Sequence, residues 1–509
     1  QIADHYALAG RNEPAVVFYR RAGAAAQRIY ANSEAIRLYQ LLLSGELASA
    51  LSPAEACEVR LALGEVWRVT GDWAHAEQIN LEAMRMAESQ GDTFAVARAR
   101  RALADVMRLQ GHYDAALEWL TEAEAGFAAS QDWRGVVSAL WTAGEIYWFK
   151  GDHVQALSAL ERQLRIASQH DDQRGICEAL DTLGMVYWSQ GDWDQSLECC
   201  HRSIAIAEPL GYHLVITRAD ITIGNVYSSQ KGANEAVHWW LQAGLLAQQI
   251  DDRQVLTWAI ANIAGMAANC GDLLTALIGH EQAILLATEI GDRWTACLNI
   301  ADLGNVLEQL HREKMAEFLY RQAVALGRAL DIPSYLAGML VDLASLLLRQ
   351  GRATEATAVH AEAITMLARV EGRRLAGADR RFEADLLGVQ LGKASGALTP
   401  DDAEQQIRGL LQEYAEPAQR AALHDELWQV APTNQAARAT AADLYRALYA
   451  GTAHDRYRQR HFELTAIALP DPPPLPDVSK LIPPRSPDID GLLERLAPLL
   501  AQLEVSFNG

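Results

Sequence analysis

One tripeptide recurs down this chain on a fixed clock, and no other feature of the sequence constrains the fold as much. Thr70-Gly71-Asp72, Gln110-Gly111-His112, Lys150-Gly151-Asp152, Gln190-Gly191-Asp192, Cys270-Gly271-Asp272 and Gln350-Gly351-Arg352 are spaced by 40 residues or a multiple of 40. The copy near 231 is shifted by one, to Lys231-Gly232, and the copy near 311 has lost its glycine to His311. A second series falls halfway between: Gly91-Asp92, Gln131-Asp132, Asp171-Asp172, Asp251-Asp252 and Gly291-Asp292. Self-similarity at this period means a stacked array, in which each block buries its apolar face on its neighbours. Each block holds two apolar-periodic segments of about four turns, with a breaker after each. Glycine suits the left-handed residue that ends one helix, and the following aspartate suits the N-cap of the next. The unit is therefore an α-hairpin, repeated about eight times.

Small and large residues keep the same register. Gly64, Gly144, Gly184, Gly224 and Gly304 share one position, with Ala104, Ala264 and Ala344 as substitutes. Ala76, Ala116, Ala156, Ala236, Ala276, Ala316 and Ala356 share another, where Ser196 is the exception. Small side chains there let two helices approach closely. An apolar residue precedes the glycine position, and a large one follows three residues later in the early blocks (Trp67, Met107, Tyr147, Tyr187, Tyr227). This pattern, L-G-x-x-Y … G-x-x-x-x-A … A, resembles the tetratricopeptide repeat in its long form, over residues 51–370. The resemblance implies an all-α fold: a right-handed superhelical α-solenoid of about eight 40-residue hairpins with degenerate helical ends. One departure is the proline usual near the end of the second helix, which is missing apart from Pro209.

The ends depart from the clock. Residues 1–50 carry degenerate helical repeats, and Gln1 falls inside a hairpin with no signal or targeting segment before it. The chain is accordingly expected to be a piece of a longer protein. The stretch YALAGRNEPAVVFYRRAGAAAQRIYANSEAIRLYQLLL is similar to the segment that follows the ATPase module in bacterial STAND-type signalling ATPases. These include relatives of the maltose-regulon activator and proteins carrying an adenylate-cyclase domain. That resemblance implies an upstream ATPase domain in the same protein, with residues 1–50 as the junction to it. Beyond the eight repeats of 51–370, irregular helices are expected over 371–465. Residues 466–487 hold eight prolines and read as an extended linker. Residues 488–509 read as an amphipathic helix that caps the array or binds a partner.

Charge and composition narrow the function. With 65 acidic against 44 basic residues, the net charge of −21 repels nucleic acid and anionic lipid. The basic clusters Arg98, Arg100, Arg101; Arg373, Arg374; and Arg456, Arg458, Arg460 read as solvated faces. No apolar run approaches the ~20 residues of a membrane span. Six cysteines without a CxxC motif fit a reduced, cytoplasmic compartment. Cys57, Cys177 and Cys297 share one repeat position and read as packing residues. Cys199-Cys200-His201 is the one local cluster with metal-ligand chemistry, but adjacent helix residues diverge by ~100° and converge poorly on one ion. GVQLGKA at 388–394 is a failed phosphate loop, with short spacing and Ala394 where a hydroxyl is needed. His424-Asp425-Glu426 reads as a solvent-facing polar run. Neither a catalytic residue nor a cofactor is expected.

Function then falls to the concave surface, lined in such superhelices by the first helix of each hairpin. Counting from the repeat glycine, the resemblance places positions −6, −3, −2, +1 and +4 on that face. The candidate groove residues are Trp141, Thr142, Glu145 and Trp148; Glu178, Asp181, Thr182, Met185 and Trp188; Arg218, Thr222 and Asn225; and Trp258 and Asn262. Arg98, Arg101 and Arg108 add positive charge at one end. A solvated face rarely carries four tryptophans, each able to supply ~2 kcal/mol at an interface. By contrast Trp73, Trp193 and Tyr113, which follow the turn, read as staples of the second helix. The resemblance implies a sensor that binds a protein, peptide or small-molecule inducer and relieves autoinhibition of the upstream nucleotide switch. A constitutive scaffold or peptide-binding adaptor is the alternative.

Overall fold

The computed structural model describes residues 2–230, 232–370, 380–486 and 488–505. Gln1, Lys231 of the shifted turn, Arg373 and Arg374 of one basic cluster, and Pro487 lie outside the described residues. Every regular element among the described residues is a helix. Four lead in: α1 (Ile2–Leu8), α2 (Asn12–Arg28), α3 (Asn32–Leu42) and α4 (Gly45–Ala50). Eight hairpins follow, the first four being α5 (Pro53–Val69) with α6 (Trp73–Gln90), α7 (Thr93–Leu109) with α8 (Tyr113–Ala129), α9 (Trp133–Phe149) with α10 (His153–Gln169), and α11 (Gln173–Gln190) with α12 (Trp193–Leu210). The second four are α13 (His213–Ser229) with α14 (Ala233–Ile250), α15 (Arg253–Asn269) with α16 (Leu273–Ile290), α17 (Arg293–Gln309) with α18 (Glu313–Ala329), and α19 (Pro333–Arg349) with α20 (Ala353–Arg369). Then come α21 (Arg381–Ala394), α22 (Pro400–Glu413), α23 (Pro417–Val430), α24 (Gln435–Thr452), α25 (Asp455–Thr465) and α26 (Leu492–Val505). The array is an all-α solenoid of tandem hairpins.

The turn chemistry is what the register demands. Gly71, Gly111, Gly151, Gly191, Gly271 and Gly351 all have φ between 70° and 85°. Asp72, Asp92, Asp132, Asp152 and Asp192 each accept the backbone N–H three residues on, as N-caps. Blocks that lost their glycine keep the left-handed backbone anyway: Gln131, Asp171, Asp251, His311 and Asp331 have φ of 48–58°. An L-residue in that region costs ~1–2 kcal/mol. His311→Gly should therefore raise stability by ~1 kcal/mol, read as a higher denaturant midpoint; an unchanged or lower midpoint would refute the strain.

The glycine inside five of the first helices serves a side chain rather than a backbone. A Cβ on Gly144 would lie 2.5 Å from Leu160, on Gly184 2.5 Å from Cys200, and on Gly304 2.8 Å from Tyr320. Gly64 faces Asn80 and Gly224 faces Trp240 in the same way. The partner is always the residue sixteen positions on, so the glycine is a notch for one large side chain of the second helix. Ala76, Ala116, Ala156, Ala236, Ala276, Ala316 and Ala356 are fully buried beside it.

The chain divides into two compact units. Unit 1 comprises residues 1–223, 242–259 and 286–294; unit 2 comprises 224–241, 260–285 and 295–509. Within unit 1, contacts join segments far apart in sequence. Asn32 donates to the carbonyl of Ile250, 218 residues away, at 3.0 Å. Ile290 closes over Gly71 and Trp73, and the Trp294 ring meets Phe149 edge-on at 5.4 Å.

Within unit 2, α23 to α25 form a polar core that differs from the sequence expectation. Asp425 and Glu426 are buried, not solvent-facing. The turn of α23 aims Asp425 at Arg460 of α25, at 2.5 Å, and Glu426 at Lys393 of α21, at 2.9 Å. Arg458 is likewise ion-paired, to Asp455 at 2.6 Å, so two of the three arginines in this basic cluster are structural, while Arg456 is exposed. The failed phosphate loop at 388–394 lies in the α21 helix. One helix among the described residues, Leu273–Ile290, reaches the length and mean hydropathy (1.2) of a membrane span, and 61% of it is buried inside the structure. A mostly buried apolar helix of this kind is what the core of a stacked array supplies.

Candidate functional site

On α5, α7, α9, α11 and α13 the same helix face carries charges that meet from block to block. Arg68 pairs with Glu65 at 2.8 Å and reaches Asp105 of the next block at 3.1 Å. Arg108 pairs with Asp105 at 2.9 Å and with Glu145 at 3.3 Å. Arg218 then joins Glu145 and Asp181, the latter at 2.9 Å. The result is a continuous ladder of alternating sign. Burial alone would raise the pKa of Asp105, but Arg68 and Arg108 outweigh it and hold the carboxyl well below its usual range. At Asp181 burial wins over Arg218 and pushes the pKa up to about 6. Glu178 rises to about 7 through burial, against the Tyr212 hydroxyl that donates to it at 2.6 Å.

The aromatic candidates are tied into the same fabric. Trp141 donates its indole N–H to Thr182 at 3.0 Å, and Trp148 donates to Ser189 at 2.7 Å, each one block ahead. The Arg218 guanidinium stands 5.5 Å from the Trp141 ring and 3.8 Å from the Met185 sulfur. Thr142 and Thr222 return their hydroxyls to carbonyls of their own helices. Thus Arg108, Thr142, Glu145, Glu178, Asp181, Thr182, Met185, Arg218 and Thr222 are buried, mostly against one another. Arg98, Arg101, Trp141, Trp148, Trp188 and Trp258 remain half-exposed in unit 1. In unit 2, the half-buried Asn262 and Asn225 pair at 3.0 Å, and Trp240 donates to the same Asn225 oxygen.

Counting along the repeat missed a large cavity. It measures about 1010 Å³, lies within unit 1, and is framed by α2, α5 and the turns before α11 and α13. Arg21 and Arg28 line it from α2, Val66 and Val69 from α5, Asp171, Asp172 and Tyr212 from the turns, and Arg174 from the start of α11. Glu65 joins them but is held by Arg68. Arg174 stacks on Tyr212, 4.0 Å from its centroid. Arg21 and Arg28 are exposed and make no ion pair among the described residues. The available signal was their spacing of seven, which puts both on one face of α2. Arg98 lies beside Arg21 in an adjoining cavity of about 500 Å³.

The remaining candidates are packing groups. Cys199 and Cys200 are buried free thiols; burial pushes Cys199 up to about 11 and Cys200 well above the usual thiol range. Among the described residues no cluster of three His, Cys, Asp or Glu side chains is arranged for a metal ion. Trp73 and Tyr113 are buried, Trp73 donating to the Arg68 carbonyl at 3.1 Å. Trp193, by contrast, is 36% exposed.

Models of the tetratricopeptide repeat match residues 55–129, 137–170, 175–243 and 336–374. No curated protein matches the sequence significantly. Among solved structures the chain is similar to a Rap protein complexed with competence and sporulation factor, at 12% identity and TM-score 0.51, over 71% of this chain and 100% of that one. It is also similar to the quorum sensor NprR from B. thuringiensis (17%, TM-score 0.44, 62% and 87%). A third is a signal transduction ATPase with numerous domains and a tetratricopeptide repeat sensor from Pyrococcus horikoshii (15%, TM-score 0.37, 60% and 46%). At such identities the likeness is one of fold. The matched segments carry tetratricopeptide repeats, and the hairpins in register with them continue the same α-solenoid.

Proposed function

We propose that this chain is the ligand-sensing part of a STAND-type signalling ATPase, binding a protein or peptide segment in the cavity of unit 1. The observation that carries the binding half is the pair Arg21 and Arg28, two guanidiniums without an ion pair among the described residues, which line a cavity of about 1010 Å³. Seven residues apart on a helix, they stand ~10 Å apart along its axis, too far for one carboxylate to bridge. A chain bearing two acidic groups suits them. Val66, Val69, Leu210 and Leu214 supply apolar wall between the charges, and Asp172, whose side chain caps nothing, offers an acceptor for an ammonium group. The Rap protein of similar fold was solved with competence and sporulation factor bound, which supports a binding role for such an array. Arg98 lines only the adjoining cavity and is paired with Glu58 at 3.2 Å, which leaves Arg21 and Arg28 as the charges offered to the ligand.

The switching half rests on the resemblance of residues 6–43 to the segment that follows an ATPase module. A ligand moves such a switch only if it binds the active arrangement better than the resting one. The test is recovery of ligand from a cell extract on the wild-type chain and on Arg21→Glu/Arg28→Glu, followed by mass spectrometry. We expect the species retained by the wild type to fall ~30-fold or more on the variant, as for arginine hot spots, with the same Tm because both side chains are exposed. Equal retention by the two would overturn the assignment.

A further inference from the structure

The C-terminal arm of unit 2 is held in a way that the repeat architecture does not require. After α25 the chain runs without regular structure through its prolines, anchored by the Tyr449 hydroxyl donating to the Pro470 carbonyl at 2.6 Å. It then returns to α16. Leu481 and Ile482 are buried; the Ile482 methyl fills the notch at Gly279, where a Cβ would stand 3.0 Å from it. The Gln282 amide donates to the Leu481 carbonyl at 3.2 Å. Glu281 of α16 is gripped by two arginines of the arm, Arg485 at 2.8 Å and Arg495 at 2.7 Å. α26 packs against α18 and buries Leu492, Leu496, Leu500 and Leu503. Those leucines, at i, i+4, i+8 and i+11, form one helical stripe.

Three features make this occupant a poor one for its site. Pro498 sits inside α26, where it removes a backbone hydrogen bond and crowds the preceding turn. The linker before α26 has no regular structure to unfold if the arm departs. And α16 leaves Glu281 dependent on cations from the arm: among the described residues, both arginines that pair with this carboxylate belong to it.

We propose that the α16–α18 face of unit 2 is a docking site for an amphipathic helix of a partner protein, and that α26 is its resident, displaceable occupant. The partner's helix carries leucine or similar residues at i, i+4 and i+8, an arginine beside the first to meet Glu281, and no internal proline. This surface is separate from the cavity of unit 1, so either assignment can fail alone.

The experiment uses a fluorescein-labelled synthetic peptide of residues 488–503 carrying Pro498→Ala, titrated by anisotropy against full-length chains. The parent binds it weakly, because the tethered arm competes at a ~mM effective concentration. Leu492→Asp/Leu496→Asp releases the arm without touching α16 and should tighten binding ~100-fold. Adding Glu281→Lys to that chain should return binding to the parent's level. Hydrogen exchange over 492–503 reports release, and protection of the repeats reports folding. The half-exposed Arg495→Glu serves as a milder release if the double variant misfolds. No gain in affinity for a folded, released chain, or a gain that Glu281→Lys leaves intact, overturns the proposal.

Discussion

Replacing Asp220 with asparagine makes unit 1 more stable at pH 8 and flattens its dependence on pH. Asp220 is buried on α13, and one of its carboxylate oxygens has no hydrogen-bond partner. Burial, with the charge of Glu208 adding to it, pushes its pKa from 3.8 up to about 7. A carboxyl whose folded pKa exceeds its unfolded one binds protons more readily in the native state. Its contribution to stability is complete below about pH 4, fades as the pH climbs through 7, and above that the buried charge is a net cost. A rise of that size sets a ceiling of ~4 kcal/mol on the cost. Glu178 and Asp181, raised to about 7 and about 6, act in the same sense, so the wild type gains stability between pH 8 and pH 5.5. Thermal melts of both chains at the two pH values check this. An Asp220→Asn chain that melts no higher than wild type at pH 8 would show that the carboxylate has found a partner.

Arg218→Leu should be the most damaging single change on the first-helix face, at ~3–5 kcal/mol. Removing this guanidinium strands Asp181 and leaves Glu145 to Arg108 alone, both carboxylates being essentially inaccessible to water. Neutralising both partners as well, with Glu145→Gln and Asp181→Asn, should restore most of the loss, since replacing a whole buried ion cluster is far cheaper than breaking it. Chemical denaturation of the single and triple variants measures both. A single variant within ~1 kcal/mol of wild type would mean that the ladder is solvated and open to ligand.

The hairpins were legible because their determinants are local. A left-handed residue at each turn, an aspartate cap after it and an alanine five residues beyond the turn glycine all sit within one block. The pairing of the blocks was not. Helix-face counting put Glu145, Asp181 and Arg218 on one face, but could not show that Arg218 meets Glu145 from 73 residues away. A charged residue pointing at a groove and one pointing at the next repeat have the same helical phase. The same limit hid the pairing of Asp425 and Glu426 with Arg460 and Lys393, which come from other helices. The cavity escaped because its walls come from residues 21–32, 65–69, 171–174 and 210–214, four segments that no periodicity relates. Trp193 shows the converse: it shares the turn register of Trp73, yet it is exposed where Trp73 is covered by Ile290.

That seat of Ile290 over Gly71, with Asn32 bonded to Ile250 and Trp294 against Phe149, bears on how such a gene can change. Open arrays lengthen and shorten by copying or deleting whole blocks, because each block touches only its neighbours. Here a duplicated or lost 40-residue segment between Gly71 and Ile290 would slide the later contact residues off their seats. Unit 1 has in effect a counted number of repeats. Recombination events that a simple solenoid absorbs would emerge in this one as folding defects.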